Sequence, residues 1–141
     1  MKKNALPAAL LLAAVCHTAN AEEWICGMWE DPPSKSSFDY DITLDNSPTA
    51  RVEVTPTTLG ANPRDNAEAG TSNLLILRNS SDGLVLAAGG TGPTQYGRAV
   101  YGSLLVLNRQ TKTALQSYAL SAEKAGFVNP PRMGKCTLAR P

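Results

Sequence analysis

The chain has 141 residues, with 13 basic and 12 acidic side chains, one histidine and three cysteines. Without a clustered basic face, this charge balance gives no electrostatic footing for nucleic acid or an anionic membrane surface. The length suits one domain built around one core.

Residues 1–21 read as a cleavable secretory signal. Lys2 and Lys3 supply the positive start, Ala5 to Val15 is an almost wholly apolar run, and Ala19-Asn20-Ala21 is a small-x-small cleavage site. His17 and Asn20 break the run well short of the roughly 20 apolar residues of a membrane-spanning helix, so no stable membrane insertion is expected. A lipoprotein signal at Cys16 is disfavoured, because Ala13 and Val15 occupy the places where such signals usually carry Leu and a Gly or Ala. Residues 22–141 are then a single exported domain, periplasmic or secreted. Cleavage removes His17, Cys16, Lys2 and Lys3 and leaves a net charge of −1. Cys26 and Cys136 become the only thiols, and an oxidising compartment favours their bonding. The first and last strands should therefore be neighbours.

Trp24 to Trp29 reads as a first strand, halted by Asp31-Pro32-Pro33-Ser34 because proline lacks the amide donor of a sheet ladder. Trp24 and Trp29 fall on opposite faces of an unbroken strand, and both are candidate aromatic contacts for a partner. Phe38 to Asp45 alternates strictly, with Phe38, Tyr40, Ile42 and Leu44 on one face and Asp39, Asp41, Thr43 and Asp45 on the other. Asn46-Ser47-Pro48-Thr49 is turn chemistry, after which Arg51 to Thr55 resumes the alternation with Val52 and Val54 inward. Pairing Asp45 with Arg51 is the expected hairpin register, since the alternative sets Asp41 opposite Glu53.

Residues 56–72 lack any period and read as a long loop with one helical turn near Asn62 to Ala69. It is a candidate binding loop, with Arg64 and Asp65 as contacts. Leu74 to Arg78 and Leu84 to Ala88, joined by Asn79-Ser80-Ser81-Asp82-Gly83, form a hairpin. Gly89 to Gly97 reads as a second irregular segment and second binding loop, offering Gln95, Tyr96 and the adjacent Arg98. Val100 to Leu107 and Thr113 to Leu120 suggest another strand pair. Ser121 to Gly126 reads as a helical turn with Ser121 as N-cap and Gly126 as terminator. Met133 to Leu138 is the closing strand, carrying Cys136. About eight short strands and no long amphipathic helix predict an all-β, mainly antiparallel domain, a small barrel or sandwich with at most one or two helical turns.

Missing residue types narrow the chemistry. Without histidine the exported domain has no Ser-His-acid triad, no imidazole base and no imidazole metal ligand. A bonded cysteine pair offers no thiolate, and Gly89-Gly90-Thr91-Gly92 lacks the Lys-Ser/Thr of a phosphate-binding loop. No catalytic, metal or cofactor site is assigned. The leading expectation is a non-enzymatic binding module for another protein, of inhibitor or immunity type. One alternative is a carboxylate-dependent hydrolase of envelope polysaccharide using Asp39, Asp41, Asp45 and Glu53. Another is a structural subunit of an envelope assembly.

Overall fold

The computed structural model describes residues 21–30, 37–57 and 69–141. Nine strands appear among them: β1 (Glu22–Glu30), β2 (Ser37–Leu44), β3 (Thr49–Pro56), β4 (Gly70–Asn79), β5 (Gly83–Thr94), β6 (Gly97–Asn108), β7 (Thr113–Ala122), β8 (Gly126–Val128) and β9 (Arg132–Arg140). Each pairs antiparallel with its chain neighbour from β1 to β7; β9 bridges β7 and β1, closing an eight-stranded up-and-down barrel with β8 as an addition to β7. Of the barrel and sandwich expected from the sequence, it is the barrel. Closure follows from the inward apolar residues of the strands, which a sheet that curls onto itself buries together without leaving long open edges.

β8 and β9 are one strand path interrupted at Asn129-Pro130-Pro131. Ala119 pairs with Val128 and Gln116 with Arg132, so this side carries one residue more than β7. Proline cannot donate to the ladder, and the extra residue is accommodated as a bulge.

One end of the barrel is filled with apolar side chains. Ile42, Leu84, Leu86, Leu105 and Leu107 are at most 2% exposed, and Trp24 and Cys26 join them from β1. Arg109, in the β6–β7 turn, seals this end. Its guanidinium donates to both carboxylate oxygens of Glu22 at 2.7 Å and to Asn79 Oδ1 at 2.7 Å, while Trp24 Nε1 donates to Glu22 Oε1. Cys26 and Cys136 face each other directly across β1 and β9, Cα atoms 4.0 Å apart, and are disulfide-bonded.

The β1–β9 seam leaves no room at Gly134. A Cβ there would lie 2.1 Å from the Gly27 carbonyl oxygen and 2.7 Å from Met28 Sδ, whereas one at Gly27 would meet nothing nearer than Asp39 Oδ1 at 3.8 Å. Gly134→Ala must push β1 and β9 apart and is expected to cost about 1–3 kcal/mol, whereas Gly27→Ala should stay within about 0.5 kcal/mol. Urea denaturation of the two variants checks the contrast.

Three sequence expectations are corrected. The β2–β3 hairpin takes the other register, with Thr43 opposite Arg51 and Asp41 opposite Glu53. Both registers keep the same residues inward, so burial does not choose between them; the turn does. Asn46 adopts a φ of 65°, Ser47 N donates to Asp45 Oδ1, and Ser47 Oγ bonds Thr49, fixing a short connection. Arg51 offsets the like charges by pairing with Glu53 at 2.8 Å. The helical turn expected at Ser121–Gly126 is instead a tight reversal in which Ala122 N donates to Ala125 O at 2.7 Å, and Gly126 opens β8. Gly89 to Gly97 is not irregular: β5 and β6 pair without a break to Thr94 and Gly97, around the turn residues Gln95 and Tyr96. Gly97, at φ 96°, supplies a conformation that other residues rarely adopt.

Candidate binding surfaces

Antiparallel succession puts the β1–β2, β3–β4, β5–β6 and β7–β8 connections at one rim, opposite the end sealed by Arg109. The β5–β6 turn, within the second segment singled out in the sequence as a binding loop, stands there. Arg64 and Asp65 lie outside the described residues. Gln95 and Tyr96 form the tip of the long β5–β6 hairpin and Arg98 follows on β6, all three exposed. Tyr96 packs edge-to-face on Phe127 of β8, ring centroids 6.2 Å apart.

The two tryptophans part company. Trp24 is 3% exposed and belongs to the core, whereas Trp29 is 37% exposed on the outer wall. Trp29 is not isolated there. Following the pairing partners across the sheet, Trp29 lies beside Met133, Met133 beside Leu115, Leu115 beside Val106, and Val106 beside Val85. This row crosses five strands, and Trp29, Val106, Leu115 and Met133 share a shallow groove of about 360 Å³. Leu104, Leu75 and Leu77 extend the outward apolar surface over β6 and β4, at 39%, 51% and 56% exposure.

This row was not identified from the sequence, although a signal was present. Leu74-Leu75-Ile76-Leu77 and Leu104-Leu105-Val106-Leu107 are apolar at both parities. In a barrel with no further layer outside it among the described residues, half of such a run must face outward.

The opposite wall is different in kind. Asp39, Asp41 and Glu53 project from the outside of β2 and β3, with Asp41 directly across from Glu53. Partial burial, then Glu53, Asp39 and Glu23 in turn, raise the Asp41 carboxyl above its ordinary value, against a lowering by Arg51. Hydrogen bonds from Ser47 lower Asp45, which sits in the turn. These acids are on the convex outside of the barrel, and among the described residues no carboxylate lines either cavity. Among the described residues no group of three or more His, Cys, Asp or Glu side chains is placed to hold a metal ion.

A raised pKa means that folded Asp41 retains its proton over a window in which the unfolded chain has lost it. Ionised Asp41 therefore costs stability above that window. Asp41→Asn should raise stability at pH 7 by about 0.2–1 kcal/mol, and the gain should fade as the pH falls below about 4. Thermal unfolding of both proteins at the two pH values checks this.

Inside the rim, Arg132 is 9% exposed. Its Nη1 donates to Tyr40 Oη at 3.0 Å, its Nη2 to Glu30 Oε1 at 3.3 Å, and its guanidinium carbon lies 3.9 Å from the centroid of the Phe38 ring. Tyr40 in turn donates to Gln116 Oε1. The polar chain from Glu30 to Gln116 thus spans the interior of the barrel. The sequence reading left Arg132 out, because nothing in Pro130-Pro131-Arg132-Met133 tells an inward from an outward side chain across a proline bulge.

These features define a small disulfide-closed antiparallel barrel with an apolar outer wall, an acidic wall and a polar rim. No family model, curated protein or solved structure matches the chain.

Proposed function

We propose that this chain is an exported, non-enzymatic binding module that presents the outer wall of β1, β5, β6, β7 and β9 to another protein, in the manner of an inhibitor or immunity-type protein. The observation that carries this reading is the continuous outward-facing apolar row Trp29–Met133–Leu115–Val106–Val85, in which Trp29 and Leu115 are exposed and the other three half-buried. Contiguous apolar surface with an aromatic anchor is costly to leave in water and is the usual centre of a protein interface. Rigid paired strands hold the row in place, so little ordering entropy is lost when a partner covers it. A barrel embedded in lipid would need an apolar band all the way round, and Asp39, Asp41, Arg51 and Glu53 interrupt it on β2 and β3. The convex placement of the same acids weighs against the hydrolase, which needs two carboxylates facing one cleft.

The experiment is affinity capture with three baits: the native protein, Leu115→Asp, and Asp41→Asn as a control on the other wall. A stoichiometric protein held by the native and control baits, and at least about tenfold more weakly by Leu115→Asp, supports the reading. Equal retention by all three moves the interface off this wall. If sedimentation instead shows concentration-dependent self-association that Leu115→Asp abolishes, the envelope-subunit alternative takes its place.

A further inference from the structure

The barrel is packed solid at the end sealed by Arg109 but not at the rim. There a cavity of about 410 Å³ opens between β2, β3, β4, β6, β7 and the β8–β9 path. Its size falls in the range of about 300–1,000 Å³ typical of small-molecule sites. Two kinds of group line it. Ser72 and Ser103 bring hydroxyls, while Gln116 and Asn129 bring side-chain amides. Tyr118 and Phe127 bring aromatic faces, and Tyr118 is held by stacking on Tyr101, with centroids 6.3 Å apart.

This lining selects a ligand class. Hydroxyls and amides both donate and accept, so they match a partner whose own groups do the same. A purely apolar ligand would strip water from them and return no hydrogen bond, at a cost of about 1–3 kcal/mol per group. Among the described residues an anion finds one cationic side chain in the lining, Arg132, whose charge is already set against Glu30 at 3.3 Å. Neutral molecules with several hydroxyls around a compact ring, and a C–H face to lay on an aromatic, fit both halves of the site. Among the described residues no carboxylate lines the cavity. The described lining therefore provides for holding such a molecule.

We propose that the rim cavity is a saccharide-binding site, in which Gln116, Asn129 and Ser103 hydrogen-bond the sugar hydroxyls and Tyr118 and Phe127 receive its apolar face. It lies inside the barrel and is independent of the outer row, so either site can fail without the other. Within it Arg132 acts as a positioning residue, holding Tyr40 and, through it, Gln116.

A titration of the folded, disulfide-bonded protein followed by NMR of its backbone amides tests this. The probes are glucose, galactose, mannose and N-acetylglucosamine, with acetate, inorganic phosphate and cyclohexanol as charged and apolar comparisons. The expected result is saturable shifts around Ser103, Gln116 and Asn129 with at least one sugar, weakened about tenfold or more in Gln116→Leu. Should Gln116→Leu fail to fold, Ser103→Ala removes one hydroxyl at nearly constant volume and is expected to weaken binding severalfold at unchanged unfolding temperature. Three results overturn the proposal: no saturable shift with any sugar up to about 0.1 M, shifts confined to the outer wall, or preferential binding of acetate, phosphate or cyclohexanol.

Discussion

Replacing both Cys26 and Cys136 with serine is expected to lower the unfolding free energy by about 4–5 kcal/mol. The bond spans a sequence separation of 110 residues, so in the unfolded state it ties nearly the whole chain into one loop. In the folded state it sits within the β1–β9 pairing, the junction at which the meander returns to its first strand. Both effects point the same way. Without the bond, closure depends on the ladder alone, and its two strands are the farthest apart in sequence. Domains of this size have about 5–15 kcal/mol in total, so the loss consumes a large share. Urea denaturation of the serine variant against the oxidised protein measures it. Cys26 is fully buried and Cys136 5% exposed, so added reductant should open the native bond slowly and the unfolded one quickly.

Arg132→Met is expected to cost about 2–4 kcal/mol, less than the loss of a well-isolated buried ion pair because Glu30 retains some contact with water. The substitution keeps an unbranched side chain of similar reach but removes the donors. Glu30 loses its cation, Tyr40 Oη loses the hydrogen bond it accepts, and the Phe38 face loses the guanidinium above it. Glu30→Gln, which keeps an acceptor for Arg132, should cost less than half as much. Equal losses in the two variants would mean that charge, rather than the hydrogen-bonded chain through Tyr40, dominates.

The strands were legible where one face is buried and the other polar. Phe38 to Asp45 is the clearest case: its alternation predicted a strand, and every inward residue from Phe38 to Leu44 is buried. The neighbouring of first and last strands followed from the cysteine pair. What periodicity could not supply was geometry set by single backbone angles. The β2–β3 register turned on the positive φ of Asn46, and a two-residue shift changes no inward residue. The glycines from Gly89 to Gly97 suggested a loose loop because they carry no side-chain pattern, yet pairing with β6 needs only their backbone.

The candidate surfaces were legible in part. Trp24 and Trp29 were both named and parity put them on opposite faces without telling which faces out; the row that Trp29 belongs to is assembled from five strands and has no linear motif. Tyr96 was named for a loop and stands at a hairpin tip. The rim cavity is built from single residues on several strands, each unremarkable in sequence, and becomes a site only through the register that aligns them.

The most direct measurement of the central claim is photo-crosslinking in the producing cell, with a photoreactive residue at Leu115 in one version of the protein and at Glu53 in another. The apolar row predicts one discrete protein adduct from position 115 and none from position 53. Adducts from position 53 alone, or a diffuse smear from both, would contradict a partner docked on the β1, β5, β6, β7 and β9 wall.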